Sequence, residues 1–239
     1  MFSVAKRPKI IAVDGPAGSG KSSICAEVCR RIGWTYVNTG ALYRALAYIA
    51  RQQGHDFSDE NSLLPLIEDL ARNMRWQPDS QQLWYKNENL TPHLHTVKTA
   101  NDASSVAKMS LVREKLLPLQ RQLSLMSNYG AIVDGRDIGT VVFPKADLKV
   151  FMTASLEERA GRRLKQMAES AVRKAKPKPD ADLSAVMKDI SLRDNQDAAR
   201  GVAPMRQAED AVLVDTSSMS VEAAVEWLVQ LIKDKGLAE

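Results

Sequence analysis

The chain has 239 residues, of which 44% are hydrophobic and 26% charged, proportions typical of a globular protein with a sizeable core. No apolar run approaches membrane-spanning length, no signal-like apolar core follows the basic N-terminus, and a net charge of +4 is too mild to indicate a nucleic-acid partner by itself. The sequence has two cysteines, Cys25 and Cys29, and the one disulfide they could form would not stabilise a fold of this size. We therefore expect a cytoplasmic protein with reduced, packed cysteines, the alternative for this pair being redox chemistry.

The first predicted strand, Ile10–Val13, leads into a glycine-rich loop. Residues 15–22 match the pattern Gly-x-x-x-x-Gly-Lys-Ser/Thr, and an apolar pattern at helical spacing follows over Ile24–Ile32. Glycines let successive N–H groups turn toward one anion, and the helix N-terminus adds further donors. The pattern predicts a nucleoside triphosphate site, the alternative being a chance match on an ordinary strand–turn–helix.

The loop and its flank supply the expected cofactor-binding residues for ATP. Lys21 is expected to reach the outer phosphates, and the Ser22 hydroxyl is expected to ligate Mg²⁺. The full set is Gly15, Pro16, Ala17, Gly18, Ser19, Gly20, Lys21, Ser22 and Ser23.

A second strand, Trp34–Asn38, precedes a helix over Thr39–Arg51. Thr39 is expected to cap that helix. Tyr43 and Arg44 then fall one turn into it, near the carboxyl edge of the sheet and beside the glycine loop. Because open α/β sheets bind ligands along this edge, both are candidate site residues.

The character of the sequence changes after a predicted helix at Ser58–Arg72. Short β-prone runs separated by turn residues occupy residues 74–90, a pattern that predicts a small meander. We interpret it as a subdomain inserted in an otherwise α/β pattern. Residues Thr99–Ser127 are predicted to be mostly helical, with Pro118 as a kink or break.

The next apolar strand, Ala131–Val133, ends abruptly in Asp134, Gly135, Arg136 and Asp137. Burying two carboxylates and a guanidinium is costly unless they meet ligands or each other. Asp134 is placed to act on Mg²⁺ through water, as an acidic residue on the strand beside a phosphate loop does. The alternative is a satisfied Asp–Arg pair that closes a loop.

The remaining strands are predicted at Leu148–Met152 and Val212–Asp215, before a closing helix at Val221–Ile232. Between them, residues 155–206 carry twelve Lys or Arg against eight Asp or Glu, which accounts for the whole net charge of +4. This segment, with a Lys/Pro-rich turn at Lys174–Pro179, suits a mobile lid that closes over a triphosphate. A solvated helical face is the alternative for most of the charges, and a nucleic-acid surface is disfavoured because no aromatic residues interleave with them.

The motifs of other phosphate-loop proteins are missing from the sequence. It contains neither the Asn-Lys-x-Asp sequence that recognises guanine in GTPases nor the apolar strand ending in Asp-Glu of helicase-like motors. The remaining pattern favours phosphoryl transfer to a small acceptor, in which arginines and Mg²⁺ supply most of the catalysis.

The run Gly-Arg-Asp-Ile-Gly-Thr-Val-Val-Phe-Pro at residues 135–144 is far more specific than the phosphate loop. With it, nearly the whole chain resembles, in order, the bacterial cytidylate kinases, a family of nucleoside monophosphate kinases. The other stretches that carry the resemblance are residues 14–23, 39–44, 101–107, 112–113, 158–160 and 193–200, with Asp134 and Pro204.

The resemblance implies a role for each matching position. Arg44 and Arg136 hold the acceptor phosphate, and Arg193 and Asp197 bind the ribose hydroxyls. The cytosine edge is read by Ser104, Arg113, Asp137 and Arg200. The implied substrate-binding set is Thr39, Tyr43, Arg44, Ser104, Arg113, Arg136, Asp137, Arg193, Asp197 and Arg200. For each residue the alternative is a structural ion pair.

The resemblance also implies the catalytic and metal residues. Arg159 and Arg162 belong to the lid over the donor. The implied catalytic set is Lys21, Arg136, Arg159 and Arg162, and the implied Mg²⁺ residues are Ser22 and Asp134. Cytosine presents an amine donor beside ring acceptors, so a carboxylate together with a guanidinium can discriminate it.

The chain departs from the family pattern in places. His95-Thr96 stands where Arg-Thr is usual, which puts an extra guanidinium in doubt. Asn38 replaces the commoner Asp, losing a charge but keeping its hydrogen-bonding ability. The stretch Lys174–Pro179 is also longer or more basic than the family pattern.

These observations predict an α/β protein with the three-layer P-loop fold: a central five-stranded parallel sheet, a small inserted subdomain that binds the nucleoside monophosphate (NMP), and a lid. The expected segments are the core with the P-loop at 1–38, the NMP-binding subdomain with the meander at 39–104, core at 105–154, the lid region at 155–185 and core at 186–239.

The expected reaction is Mg²⁺-dependent, in-line transfer from ATP to CMP and dCMP, giving CDP and dCDP. One alternative is a kinase for another acceptor, such as UMP, AMP or a small alcohol. An alternative of another class is a P-loop nucleotide switch that binds nucleic acid. We expect CMP and dCMP as the partners, with neither nucleic acid nor membrane, and a monomer as in the family.

Overall fold

The computed structural model describes residues 7–77, 80–127, 129–173 and 182–238. Five parallel strands form the central sheet in the order β2-β6-β1-β7-β8, which confirms the predicted α/β fold class. Its strands are β1 (Lys9–Asp14), β2 (Thr35–Asn38), β6 (Gly130–Asp134), β7 (Leu148–Thr153) and β8 (Val212–Asp215).

The other elements of the described residues either flank the central sheet or belong to the segment that comes after β2 in the chain. The helices are α1 (Lys21–Ile32), α2 (Thr39–Gln52), α3 (Leu64–Asn73), α4 (Thr91–Leu94), α5 (Val97–Val106), α6 (Ser110–Leu125), α7 (Leu156–Arg173), α8 (Leu183–Ala198) and α9 (Val221–Asp234). The predicted meander is confirmed as a three-stranded antiparallel sheet of β3 (Met74–Gln77), β4 (Gln82–Tyr85) and β5 (Glu88–Asn89).

Alternation along the central strands supplies two apolar faces. Ile11 and Val13 of β1 join the core beneath α1 and α9, whereas Ile10 and Ala12 join a second core that includes Val142. A third core combines α2, α3, α5 and α6 with the meander, and a smaller one joins α7 to α8. The carboxyl ends of the central strands are thereby held together along one edge of a rigid sheet.

The structure contradicts one detail of the predicted helices, the cap of α2, and it excludes a break at Pro118. The cap of α2 is Asn38, whose Oδ1 accepts from the Ala41 N–H at 3.2 Å, whereas Thr39 is the first helical residue and donates instead to the Asp134 carbonyl at 2.9 Å. Pro118 lies inside α6 without ending it. Both Pro118 and Glu114 are exposed, so water can satisfy the carbonyl that the proline leaves without an N–H donor.

Other element boundaries shift by a few residues. The predicted helix at 58–72 is a 3₁₀ turn at Asn61–Leu63 followed by α3. The predicted turn at 174–179 lies outside the described residues. The segment boundaries stay predictions, although the one at 104/105 falls inside α5 and the one at 185/186 inside α8.

Candidate active site

The phosphate loop joins the centre of the sheet to α1. Gly15 has φ +140°, and a Cβ there would stand 2.0 Å from the Met152 carbonyl oxygen, so only glycine fits this turn. Gly20, with φ +93°, is the N-cap of α1, and no side chain caps the helix. The N–H groups of its first turn therefore face the loop without a side-chain acceptor, as an anion site requires.

Lys21 is folded back on this loop. Its Nζ donates to the carbonyls of Gly15 and Pro16 at 2.7 Å each and lies 3.1 Å from the Ser19 Oγ. Burial, reinforced by the nearby Arg136 charge, lowers the pKa of Lys21 from 10.5 to about 7. A phosphate group that replaced these neutral acceptors would stabilise the charged form of the amine.

Ser22 and Asp134 meet where β1 and β6 end. The Ser22 Oγ donates to the Asp134 Oδ2 at 2.6 Å, and the phenol of Tyr36 donates to the same oxygen at 2.9 Å. Burial, together with the Asp134 charge, raises the pKa of Tyr36 well above 10, which keeps the phenol a donor. One hydroxyl and one carboxylate suit Mg²⁺ that takes its other ligands from phosphates and water; within the described ranges, no three acidic, His or Cys side chains gather into a metal-binding cluster.

Facing the loop is a group of arginines, each next to a carboxylate or a buried aromatic ring. Arg113 and Asp137 form a buried ion pair, with the Arg113 guanidinium 5.6 Å from the centre of the Tyr43 ring. Asp197 lies between two guanidiniums, 3.0 Å from the Arg136 Nε and 2.9 Å from the Arg200 Nη2. The arrangement places both charge signs on the wall opposite the triphosphate loop.

These arginines have unused hydrogen-bonding capacity. Among the described residues, the buried side-chain atoms without a hydrogen-bond partner include the Nε atoms of Arg44, Arg113 and Arg193 and the hydroxyl of Thr140. Buried donors are costly to leave unpaired. Three of these atoms belong to arginines that the sequence assigned to the acceptor, so the residues fit an anionic, hydrogen-bonding ligand.

Asp14 connects the two sides of the site. Its carboxylate, at the end of β1, accepts from the backbone N–H groups of Ile138 and Gly139 at 2.8 and 2.7 Å, directly after Asp137. Burial raises the pKa of Asp14 from 3.8 to about 6, although these two hydrogen bonds oppose the shift. The residue that precedes the phosphate loop therefore fixes the turn that carries Arg136 and Asp137.

Donor and acceptor residues line one cleft with a volume of about 520 Å³. The predicted residues on its wall are Ala17, Gly18, Gly20, Lys21, Ser22, Ser23, Thr39, Tyr43, Arg44, Ser104, Arg113, Asp134, Arg136, Asp137, Arg162, Arg193, Asp197 and Arg200. The loop residues Gly15, Pro16 and Ser19 do not line the cleft. Residues from 17 to 200 thus converge on a single space.

Arg159 does not line this cleft. It is buried, and its Nη1 donates to the Ala17 carbonyl at 3.1 Å and pairs with Asp194, whose Oδ1 accepts from the Ala17 N–H at 3.3 Å. Arg162, on the cleft wall, donates to the Thr216 Oγ1 at 3.0 Å. Both arginines reach the phosphate loop in this structure, Arg159 by bracing it from outside.

The sequence alone left several residues of the site without a role. They are Asp14, Tyr36, Asn38, Arg163, Asp189, Asp194 and Thr216. Each lies in or directly after a strand of the central sheet, or next to an assigned arginine. Asp14 carried a usable signal, because a carboxylate that ends a buried strand needs partners. Tyr36 carried none, since its partner Asp134 is 98 positions away in the chain.

The sheet order, the glycine loop and the single cleft define a P-loop nucleotide-binding α/β protein. The cytidylate kinase family model matches residues 11–234. A cytidylate kinase of Azotobacter vinelandii is 41% identical over 97% of this chain and 98% of its own, and one of an Exiguobacterium strain is 41% identical over 96% and 98%. A cytidylate kinase of Pseudomonas paraeruginosa is 41% identical over 95% of this chain and 96% of its own. The chain belongs to the cytidylate kinase family, which confirms the resemblance seen in its motifs.

A bilayer-crossing helix would need a longer and more apolar stretch than any helix in the described ranges possesses.

Proposed function

We propose that this protein transfers the terminal phosphoryl group of ATP to CMP and dCMP, forming CDP and dCDP. The observation that carries the proposal is the buried Arg113–Asp137 pair and its unpartnered arginine neighbours, in one cleft with the phosphate loop. Family membership and the names of the relatives support the same reaction.

The base is selected by hydrogen-bond complementarity. The Asp137 carboxylate accepts from the exocyclic amine of cytosine, and Arg113 donates to a ring acceptor beside it. Uracil presents a carbonyl in place of that amine and would face the carboxylate with a second acceptor. A buried polar group left unpaired by the wrong base disfavours that base strongly.

The phosphates are held from two sides. The loop N–H groups and Lys21 hold the donor, and Arg44 and Arg136 hold the acceptor phosphate. Ser22 and Asp134 are the residues that would hold Mg²⁺, which when bound neutralises phosphate charge and orients the donor. Arg136 and Arg162 stabilise the charge on the moving phosphoryl group, and no general base is required because the acceptor is already an anionic phosphate.

The test is a coupled assay of ADP release with CMP, dCMP, UMP, AMP, GMP and dTMP. The expected result is a kcat/KM for CMP and dCMP at least tenfold above that for AMP, GMP and dTMP. AMP or dTMP outrunning CMP by tenfold would show that the base-reading residues are wrongly assigned. Hydrolysis of ATP that needs RNA or DNA, without transfer to any monophosphate, would instead support a nucleotide switch.

A further inference from the structure

A line of side-chain hydrogen bonds runs along the carboxyl edge of the sheet from Arg44 to Asp134. Arg44 is followed in this line by Asn38, whose Oδ1 accepts from the Arg44 Nη2 at 3.3 Å and from the Ala41 N–H at 3.2 Å. Because two donors face Oδ1, the amide nitrogen must point the other way. It donates to the Tyr36 hydroxyl at 3.1 Å.

The direction of these bonds is fixed along the whole line. The Tyr36 oxygen accepts from Asn38, so its own proton goes to the Asp134 Oδ2 at 2.9 Å. Ser22 donates to the same oxygen at 2.6 Å. Two donors therefore hold the Oδ2 of the Asp134 carboxylate, and neither engages its Oδ1.

The neutral amide at position 38 matters for this direction. An aspartate there would offer only acceptors, and it would compete with Asp134 for the single proton of Tyr36. Strand register keeps the groups in reach, because Asn38 is the β-sheet partner of Asp134 and Tyr36 that of Ile132.

The backbone of Tyr36 is also held from the meander. Tyr36 is 3% exposed, and its carbonyl oxygen accepts from the Trp76 Nε1 at 3.3 Å. Tyr36 is thereby held at its backbone by the inserted sheet and at its buried phenol by Asp134, so the phenol has little freedom to leave the carboxylate.

We propose that Tyr36 and Asn38 are positioning residues that orient Asp134 for Mg²⁺ and link it to the acceptor arginine Arg44. The inference rests on the role proposed above for Ser22 and Asp134 at the metal. Outer-shell partners of this kind are typically worth about 10–100-fold in metal affinity or activity.

The first experiment is Tyr36→Phe, which removes only the hydroxyl. We expect the half-saturating Mg²⁺ concentration for CMP phosphorylation to rise about tenfold, with the KM for CMP within about twofold of the unmodified chain. A second readout needs no turnover: calorimetric titration of ADP with and without Mg²⁺, in which the gain in affinity due to Mg²⁺ should shrink by the same factor.

Tyr85→Phe is the matched control. Tyr85 is also a buried tyrosine that donates to a carboxylate, that of Asp69, but it lies in the meander outside the cleft. It should lose comparable stability in thermal unfolding and leave the Mg²⁺ dependence unchanged. An unchanged Mg²⁺ dependence in Tyr36→Phe, or an equal change in both variants, would overturn the inference.

Asn38→Asp, measured alone and with Tyr36→Phe, tests the direction of the bonds at a half-buried position. The substitution should raise the half-saturating Mg²⁺ concentration more when Tyr36 is present than when Phe replaces it, because only the phenol has a proton that an aspartate could accept. Equal effects in both backgrounds would contradict the proposed direction of the hydrogen bonds from Asn38 through Tyr36 to Asp134.

Asp134→Asn separates the proposed metal site from the proposed role of Tyr36 and Asn38. If this variant leaves the Mg²⁺ dependence intact, the proposed metal site itself is wrong.

Discussion

Lys21 is the residue on which the proposed donor site depends most. Its amine is buried against loop carbonyls, and we propose that it carries the charge that meets the donor phosphates. Lys21→Ala should lower kcat/KM at least about 100-fold with every acceptor, since it removes a charge donor aimed at the transferred group. Steady-state kinetics across the acceptor panel measures this, with the exposed Lys115→Ala as control. Loss confined to one acceptor would place Lys21 elsewhere than the donor site.

Substitution of Asp137, unlike that of Lys21, should reduce activity with one acceptor more than with the others. Asp137→Asn replaces an acceptor with a group that also donates, next to a now unpaired Arg113. We expect kcat/KM for CMP to fall about 30-fold or more, the effect of breaking a buried charge pair, while UMP loses less. The CMP/UMP ratio measures this. Equal loss for every acceptor would place Asp137 in the phosphate or metal shell.

Asp14 gives a pH prediction. Its native pKa of about 6 lies above the unfolded value near 3.8, so between these values the native state binds more protons. The stabilisation is therefore full at low pH and is lost as pH rises through about 6. Relative to Asp14→Asn, the free energy of unfolding of the unmodified chain should fall by about 1 kcal/mol from pH 5 to pH 7. Urea unfolding at both pH values checks this, and a difference that grows with pH would show the pKa is not raised.

At the level of elements, α7 and α8 contact the phosphate loop through Arg159 and Asp194. Arg159 donates to the Ala17 carbonyl, and its ion-pair partner Asp194 accepts from the Ala17 N–H. Arg159 is only 8% exposed, and Asp194 is the carboxylate paired with its buried guanidinium.

Asp194→Leu should therefore cost about 3–5 kcal/mol of stability, because it strands a buried guanidinium, and it should raise the KM for ATP. Adding Arg159→Met should recover part of the stability without restoring the KM, since the loop stays unbraced. Urea unfolding and ATP titration measure both effects, with Asp210→Asn, whose partner Lys149 lies outside the cleft, as control. Full recovery of the KM in the double variant would argue against bracing.

At the level of the whole molecule, the cleft joins the central sheet, the helices after β2 and the α7–α8 pair. A ligand that pairs the unused arginine nitrogens links these parts. CMP at about 100 times its Kd should stabilise the chain by about 2.7 kcal/mol, a rise in Tm of roughly 5–10 °C for this length. Thermal unfolding with CMP, and with cytidine at the same concentration, checks it; an equal shift with cytidine would show that the phosphate is not recognised.

The sequence by itself determined the parts whose partners are close in the chain. The glycine loop works through its own backbone N–H groups and the helix that follows, so residues 15–23 could be assigned as a donor site from one contiguous pattern. The five strands could also be predicted, because buried parallel strands form short apolar runs, and the meander because turn residues interrupt it.

Only the tertiary structure decided how the site is braced. The contacts of Asp14 with Ile138, of Tyr36 with Asp134 and of Asp194 with Ala17 join residues about 100 or more positions apart. They exist because the sheet order places β6 between β2 and β1, and because α8 returns to the loop. Strand order and register are set by packing across the whole chain. For that reason no local pattern could reveal that Arg159 lies behind the loop, or that Asn38 donates to Tyr36 and Tyr36 in turn donates to Asp134.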